Sequence, residues 1–262
     1  MPEPMDDYGT AARWPSHGLS AVILAAGQGT RMCSALPKVL HPVGGRPMIQ
    51  WAVSQAQSLG ADPIVLVVGH GAEAVRQAVG EGVQYAVQAE RLGTGHATLQ
   101  ARRLLHGRPG AVLVLYGDMP TLRLETLERL VARQQAGQAA LALLTVVSDD
   151  SMGFGRIVRD AEGRVQGVVE EAVATPEILA IKELNCGVYC FDAEWLWRRL
   201  PDVRPTPPKH EYYLPDMVAL AVQDGREIQA ATLTDVEEVQ GVNTRVHLAR
   251  SEAILRRRTN EA

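Results

Sequence analysis

A glycine loop followed by two cations, near the start of the chain, is the pattern with the clearest chemistry. An apolar, β-branched run at residues 19–26 predicts a buried strand. Gly27 and Gly29 follow it and allow a sharp turn whose N–H groups stay exposed, which makes a nest for phosphate oxygens. Arg31 and Lys38 then supply positive charge. This order of strand, glycines and cations predicts a binding site for a triphosphate.

Two better-known phosphate motifs do not fit this loop. The dinucleotide fingerprint G-x-G-x-x-G needs a third glycine where this chain has Met32, and the prolines and glycines of residues 37–47 prevent a continuous helix. A P-loop needs Gly-Lys-Ser/Thr, a triplet that the sequence lacks. A glycine pair alone is often only a turn between a strand and a helix. The loop is therefore either a phosphate loop of a third kind or such a turn.

An aspartate at the end of the apolar run AVLVLYG, residues 111–117, is a second candidate. Parallel sheets bind ligands beyond the carboxyl ends of their strands, where Asp118 falls. A carboxylate there needs a compensating cation, and Mg²⁺ prefers oxygen ligands. An aspartate two residues before a proline also caps turns, so this residue taken by itself leaves both roles open.

Composition and charge argue against several classes of protein. The chain has 262 residues, of which 46% are hydrophobic, enough for a full core. Its net charge of −4 argues against nucleic acid as a partner. No apolar run reaches membrane-spanning length and the first residues lack a signal-peptide pattern, so we expect a cytoplasmic protein with no membrane partner. The 3 cysteines lack Cys-x-x-Cys or Cys/His spacing, which predicts neither a disulfide framework nor a zinc site.

Alternating strand and helix patterns predict an α/β fold, a mostly parallel sheet with helices on both faces. Strands are expected at residues 21–24, 63–68, 83–87 and 111–116, and helices at residues 48–59, 72–79, 95–105 and 124–135. Runs typical of a hairpin at residues 156–159 and 164–170 predict a small sugar-binding lobe. A proline-rich loop at 201–215 should border the site, and helices are expected at 213–222 and 246–258.

The chain is expected to divide into three parts. Residues 1–18, rich in proline, glycine and acidic side chains, form an extension predicted to be mobile. Residues 19–245 form the main domain, and residues 246–262 begin a helical arm. The arginines at 256–258 are interpreted as cations that interact favourably with the dipole at the C-terminal end of that helix. They are not interpreted as a nucleic-acid patch.

Seven sequence blocks resemble a known family. The block LAAGQGTRMCSALPKVLHPVGGRPM, residues 24–48, resembles the signature of sugar-nucleotide pyrophosphorylases, and within them that of bacterial N-acetylglucosamine-1-phosphate uridylyltransferases. The likeness recurs in QAERLGTGHA (88–97), LYGDMP (115–120), GFGRI (153–157), GVVEE (167–171), ELNCGVY (183–189) and EVQGVNTR, which ends at residue 245. These blocks cover nearly the whole chain after residue 19.

The resemblance implies a Rossmann-like nucleotidyltransferase fold and a Mg²⁺ ion held by Asp118 and Asn243. Arg31 would then serve the departing pyrophosphate, Lys38 the region of the α-phosphate, and Gln88 the edge of the uracil ring. The nucleotide- and sugar-binding residues that it implies are Leu24, Ala25, Ala26, Gly27, Lys38, Gln88, Gly93, Thr94, Tyr116, Gly117, Asp118, Gly155, Glu170, Asn185 and Asn243.

The sugar side of the resemblance contains three departures from the family pattern. Ala172 stands where the family usually has a lysine, Cys186 where it has a threonine, and Phe154 where tyrosine is more common. The nucleotide side has no such departures. Glu170 and Asn185, which can bond sugar hydroxyls and an acetamido group, are both present.

The sequence therefore predicts a Mg²⁺-dependent UDP-N-acetylglucosamine pyrophosphorylase, with UTP and N-acetylglucosamine 1-phosphate as substrates and a product used for peptidoglycan and lipopolysaccharide. The alternatives are a uridylyl- or thymidylyltransferase for another hexose 1-phosphate, or a non-catalytic sugar-nucleotide sensor. In the family, acetyl transfer and trimer contacts belong to a left-handed β-helix of hexapeptide repeats. No such repeats occur here, so we expect no acetyl transfer and at most weak self-association.

Overall fold

The computed structural model describes residues 18–137, 139–207 and 210–261. Its strands are β1 (Leu19–Ala25), β2 (Pro42–Val43), β3 (Arg46–Pro47), β4 (Ile64–Val68), β5 (Gln84–Val87), β6 (Ala111–Tyr116), β7 (Leu141–Val147), β8 (Arg156–Arg159), β9 (Val165–Val169), β10 (Glu183–Asp192) and β11 (Ile228–Leu233). Its helices are α1 (Met48–Ser58), α2 (Ala72–Val79), α3 (Thr94–Gln100), α4 (Arg102–Leu105), α5 (Leu124–Gly137), α6 (Pro176–Leu179), α7 (Ala193–Arg199), α8 (Asp216–Gln223) and α9 (Arg245–Glu261).

One large sheet carries the fold, in the strand order β11-β7-β10-β6-β1-β4-β5. Along this path β10 runs antiparallel to β6 and β7, and the remaining neighbours are parallel. All residues of the central strand β1 are buried, as expected for a strand that is covered on both faces. The predicted α/β fold with a mostly parallel sheet is confirmed.

Helices cover both faces of the sheet because alternate side chains of each strand point to opposite sides. Ile23, Leu66 and Leu113 face a core that α1, α2 and α5 complete. Their chain neighbours, Val22 among them, face a second core shared with α3, α7 and α8. The cysteines are all free, and the buried Cys186 and Cys190 both lie in the first core, as a four-residue spacing in a strand predicts.

The small hairpin predicted after the main βαβ series is present, attached to the large sheet. β8 and β9 pair antiparallel, and β8 joins the sheet through β10 at the pair Arg156 and Leu184. The register of β10 against β7 shifts between Asn185 and Tyr189, which marks a bulge in that strand. The sugar side therefore extends the large sheet and is not a second core.

Several element boundaries differ from those predicted. The helix expected at 95–105 starts at Thr94 and is divided at Ala101 into α3 and α4. The helix expected from residue 213 starts at Asp216, directly after Pro215, whose ring excludes an N–H donor. Strands β7 and β11 and helix α7 were not predicted. The mobile extension expected at residues 1–18 lies, except for Gly18, outside the described residues.

Helix α9, expected as an arm, lies against the main body along its length. Glu252 Oε2 accepts a hydrogen bond from the N–H of Gly44 at 2.6 Å, and Leu255 is buried in a small third core with Val43. Arg257 forms an ion pair with Glu237, and Arg258 forms one with Asp235, both in the segment before the helix. These two arginines of the basic run therefore have partners within the chain. The division of the chain at residue 245 stays a prediction. No helix within the described ranges is long and apolar enough to cross a bilayer.

Candidate nucleotide and sugar site

The candidate site lies at the edge of the sheet where the parallel strands β1, β4, β5 and β6 end, as expected for ligand binding in this class of sheet. Leu24 and Ala25 are the last residues of β1, and its loop begins at Ala26 and Gly27. The carbonyl of Leu24 accepts from the N–H of Gly117, the residue after β6, at 3.0 Å. The two predicted ligand-binding loops therefore meet directly.

The loop after β1 folds back on itself at Gly29. A 3₁₀ turn covers Thr30–Met32, and Gly29 at its start has φ +65°. A Cβ atom on Gly29 would lie 2.5 Å from Cβ of Lys38, so glycine is needed for both the conformation and the close approach. Arg31 is exposed on the turn. The loop thus packs over the predicted catalytic lysine and leaves the arginine open to an incoming phosphate.

Lys38 donates to two oxygen acceptors that come from distant parts of the chain. Its Nζ donates to Oδ2 of Asp118, in an ion pair whose side chains are 12% and 17% exposed. It also donates to Oδ1 of Asn243, 205 residues further along the chain, at 3.0 Å. The N–H of Val242 donates to the carbonyl of Asp118 at 2.9 Å and so holds Asn243 in place. The structure joins the predicted catalytic lysine to both predicted metal ligands.

The oxygens of Asp118 and Asn243 fit a magnesium ion. Both lie within bonding distance of one nitrogen, so they converge on a common point. Mg²⁺ usually takes one or two protein oxygens and completes its shell with water and phosphate oxygens. Among the described residues no group of three or more His, Cys, Asp or Glu side chains could hold a metal. A metal bound there requires the Lys38 ammonium to turn away.

The loop after β5 carries the predicted base reader. Gln88 follows the strand directly and is buried, and its Nε2 donates to the carbonyl of Gly93 at 3.0 Å. Gly93 has φ +101°, a conformation that L side chains rarely adopt, and it precedes the first residue of α3. The loop Gln88–Gly93 is thereby closed into a compact turn at the nucleotide end of the sheet.

The end of the proline-rich loop docks on this turn. The N–H of Gly95 donates to the carbonyl of Tyr212 at 2.7 Å, and the N–H of Leu214 donates to the hydroxyl of Thr94 at 3.0 Å. A Cβ atom on Gly93 would lie 2.5 Å from the carbonyl oxygen of Tyr212. The hydroxyl of Thr94, a predicted ligand contact, is therefore used to fix the loop.

The predicted sugar-binding residues come together on the hairpin side. The N–H of Asn185 donates to the carbonyl of Gly155 at 2.8 Å. A Cβ atom on Gly155 would lie 2.9 Å from Cγ1 of Val168 and 3.5 Å from Oε1 of Glu170. Gly155 therefore bonds to the backbone of Asn185 and lies beside the Glu170 carboxyl group, in a space that a Cβ atom would fill.

The bulge in β10 sets the orientation of the Asn185 amide. Its Oδ1 accepts from the Tyr189 hydroxyl at 2.9 Å and from the Gly187 N–H at 3.2 Å. Because the oxygen is used within the protein, the NH₂ group is the part available to a ligand. Cys186, a departure from the family pattern, lies in the apolar core and not among these polar groups.

A pair of carboxyl groups marks the sugar side. Burial, and then the negative charge of Asp216, raises the pKa of Glu170. Burial also raises the pKa of Asp216. A hydrogen bond from Thr206 opposes this rise without cancelling it. Neither carboxylate forms an ion pair with a described residue, in contrast to Asp118. This part of the site is rich in acceptors for hydroxyl groups.

Tyr116 stands between the nucleotide and sugar sides. A Cβ atom on Gly187 would lie 2.9 Å from Cε2 of its ring, so the bulge packs against the tyrosine. Burial, followed by the charges of Asp118 and Glu170, raises the pKa of Tyr116 above its usual value, while a hydrogen bond with Thr94 opposes that shift. Its hydroxyl is thus a neutral group placed near both halves of the site.

Arg245 links the last helix to the glycine loop. Its Nε donates to the carbonyl of Met32 and its guanidinium NH₂ to that of Cys33, both at 3.1 Å. Cys33 has φ +47°, an uncommon value for a residue other than glycine. Sequence reasoning missed this role, as it missed Tyr212 and Asp216. The one signal in the sequence was that Arg245 lies two residues after Asn243, a predicted metal ligand.

Comparison with protein families identifies the class. The family model described as a MobA-like NTP transferase domain matches residues 21–166, more than half of the chain. The chain therefore belongs to the MobA-like NTP transferases. The matched region includes the glycine loop, Lys38, Gln88 and Asp118.

Curated proteins give a closer relationship. The chain is 49% identical over 241 residues to the protein named Bifunctional protein GlmU of Exiguobacterium sp. strain AT1b, a match that covers 92% of this chain and 53% of the relative. The proteins of the same name from Halalkalibacterium halodurans and Enterococcus faecalis are 49% and 44% identical, again with 92% and 53% covered. The chain spans about half the length of the curated relatives it matches.

Proposed function

We propose that the chain transfers UMP from UTP to N-acetyl-α-D-glucosamine 1-phosphate, which yields UDP-N-acetylglucosamine and pyrophosphate. The observation that carries the proposal is the convergence of Lys38, Asp118 and Asn243 beside the glycine loop. The similarity to the GlmU proteins and the sequence blocks shared with the uridylyltransferases support the choice of substrates. UTP and sugar phosphates are cytoplasmic metabolites, so we place the reaction in the cytoplasm.

The reaction needs alignment and charge neutralisation more than proton transfer. An oxygen of the sugar 1-phosphate attacks the α-phosphorus of UTP, and a new P–O bond forms. The bond between the α-phosphorus and the oxygen that bridges to the β-phosphate breaks, and pyrophosphate leaves with that electron pair. The attacking and leaving oxygens are both anionic, so catalysis depends on positioned positive charge.

The residues of the site divide these tasks. The N–H groups of the glycine loop and the exposed Arg31 bind the pyrophosphate part of UTP, and Lys38 neutralises charge near the α-phosphate. Asp118 and Asn243 would hold a magnesium ion, which would supply further neutralisation of phosphate charge. Glu170, through its carboxylate, and Asn185, through its NH₂ group, bind the sugar. Gln88 contacts the uracil.

Release of pyrophosphate tests the proposal. The purified chain is incubated with UTP and N-acetylglucosamine 1-phosphate, with Mg²⁺ and after chelation, and we expect pyrophosphate in the first sample alone. A panel of UTP, CTP and dTTP against glucose 1-phosphate and N-acetylglucosamine 1-phosphate identifies the preferred pair. A preference for another hexose 1-phosphate would support a different sugar-nucleotide transferase. Binding of UDP-N-acetylglucosamine without any turnover would support a sensor.

A further inference from the structure

The amide of Gln88 is fixed in one orientation by two acceptors. Its Nε2 donates to the carbonyl of Gly93 at 3.0 Å, and Nδ1 of His96 lies 3.0 Å from the same nitrogen. A primary amide nitrogen carries two hydrogens, and these contacts use both in the imidazole tautomer whose Nδ1 is the acceptor. Among the described residues no donor reaches Oε1 of Gln88, which leaves the oxygen as the free end of a buried side chain.

The imidazole of His96 is itself held in place. It projects from α3, and its ring centroid lies 6.2 Å from that of Tyr212, which is docked on the first turn of the same helix. A neutral imidazole that accepts at Nδ1 carries its proton on Nε2. Nε2 of His96 lies 3.2 Å from Nε2 of Gln100, and the same Gln100 nitrogen donates to the His96 carbonyl at 3.0 Å, so the Gln100 NH₂ group has an acceptor other than the imidazole. The helix thus presents an acceptor to Gln88.

The orientation of Gln88 matters for the choice of base. At the N3 position uracil has a donor, N3–H, whereas cytosine has a bare acceptor nitrogen. A free glutamine amide can rotate and satisfy either base, but an amide whose NH₂ group is occupied offers only its oxygen. That oxygen accepts from N3–H of uracil and faces the lone pair of cytosine N3. Rejection by an unfavourable contact is an effective source of specificity.

We infer that His96 is a positioning residue that sets the preference for uracil over cytosine by holding the Gln88 amide with its oxygen toward the base. The inference rests on the proposed function, because it takes Gln88 as the base reader. Removal of the imidazole acceptor should leave triphosphate binding and the metal ligands unchanged, since His96 touches neither. The predicted defect is therefore in discrimination and not in turnover.

The test compares His96→Phe with His96→Asn. Phenylalanine keeps a planar ring but has no acceptor, whereas the Asn oxygen can stand near the position of Nδ1. For His96→Phe we expect the ratio of kcat/KM for UTP to that for CTP to fall about tenfold or more, with kcat at saturating UTP close to that of the unmodified protein. His96→Asn should restore most of the ratio. His106→Phe, at an exposed histidine after α4, is the matched control and should change neither value.

Two results would overturn the inference: an unchanged ratio in folded His96→Phe, or a loss that His96→Asn does not restore, which would indicate packing. Calorimetric binding of UTP and of CTP to each variant gives the same ratio without turnover. Failure of the proposed function looks different, because the unmodified protein would then release no pyrophosphate from UTP. Thermal melting of each variant excludes misfolding as the cause.

Discussion

The nucleotide side and the sugar side of this site are built in different ways. On the nucleotide side, loops after neighbouring parallel strands meet, and Lys38 is already paired with Asp118. On the sugar side, an antiparallel hairpin, a bulged strand and the start of α8 place two carboxyl groups near each other, and burial and mutual repulsion raise the pKa of Glu170.

This difference indicates what each side is prepared to bind. Lys38 holds the oxygens of Asp118 and Asn243 close together before a ligand arrives, so these two side chains need little further ordering once the ammonium moves aside for a metal. Unpaired carboxylates cost desolvation energy, which hydrogen bonds from sugar hydroxyls can offset. The nucleotide side should therefore respond to mutation with large losses of rate, and the sugar side with smaller losses of acceptor affinity.

The largest expected effect follows from Asp118→Asn, which breaks the nucleotide side. The substitution keeps the shape of the side chain but removes the charge that faces Lys38, so kcat should fall by about two to three orders of magnitude. Pyrophosphate release at several Mg²⁺ concentrations measures it. Asp62→Asn, an exposed carboxylate at the opposite end of β4, is the control and should behave as the unmodified protein. Near-normal turnover by folded Asp118→Asn would refute the assignment.

The second prediction concerns the backbone of the glycine loop. Gly29→Ala introduces a Cβ atom 2.5 Å from Cβ of Lys38, at φ +65°. We expect a loss in kcat/KM for UTP of about tenfold to a hundredfold, because the loop must shift away from the lysine. Gly45→Ala is a matched control, since its φ is +77° but its Cβ would have no neighbour within 4 Å. Equal losses of kcat/KM in the two variants would mean that backbone strain at positive φ, and not the contact with Lys38, causes the effect.

Arg245→Lys should have a smaller effect on the same side. Lysine keeps the charge but cannot donate from two nitrogens to the carbonyls of Met32 and Cys33, so the loop loses part of its support. We expect about a tenfold rise in KM for UTP with little change in KM for the acceptor, a change comparable to loss of a supporting partner at a metal site. Initial rates with each substrate varied in turn give both constants. A rise confined to the acceptor KM would contradict this role.

The smallest effect is expected on the sugar side, where pH is the variable. Because the pKa of Glu170 is raised, this carboxylate takes up its proton at a higher pH than an exposed glutamate does. The acceptor KM should therefore rise on acidification. Asp216→Asn removes the repulsion and should move that rise to lower pH, with kcat changed little. A pH profile of acceptor KM that is identical in both proteins would contradict the prediction.

The Glu170 carboxyl group should also make the free energy of unfolding depend on pH, in a direction that its raised pKa determines. A raised pKa means that the folded state binds the proton more tightly than the unfolded chain, so the stabilisation is present at low pH and is lost as pH rises through the folded-state pKa. Asp216→Asn lowers the pKa of Glu170 and should raise the free energy of unfolding above that pH. Urea unfolding at acidic and neutral pH measures the change.

The sequence predicts the nucleotide side better than the sugar side, for a physical reason. Lys38, Gln88 and Asp118 follow strands directly, and parallel strands bring their carboxyl ends to one edge, so local patterns suffice to place them. The proximity of Glu170 to Asp216, and the hydrogen bonds from Arg245 to the glycine loop, depend on packing between distant segments. Strands β7 and β11 were missed as well, although burial of every residue but the last in β7 shows how central it is.

The bond between Lys38 and Asn243 also has a consequence for the order of events during synthesis on the ribosome. The two residues are 205 positions apart, so a growing chain holds the glycine loop long before it can complete the metal site. Contacts of such separation require a large loop to close and form late in folding. We therefore expect the growing chain to fold most of its sheet first and to acquire the ability to bind metal and triphosphate together only after residue 243 has been synthesised.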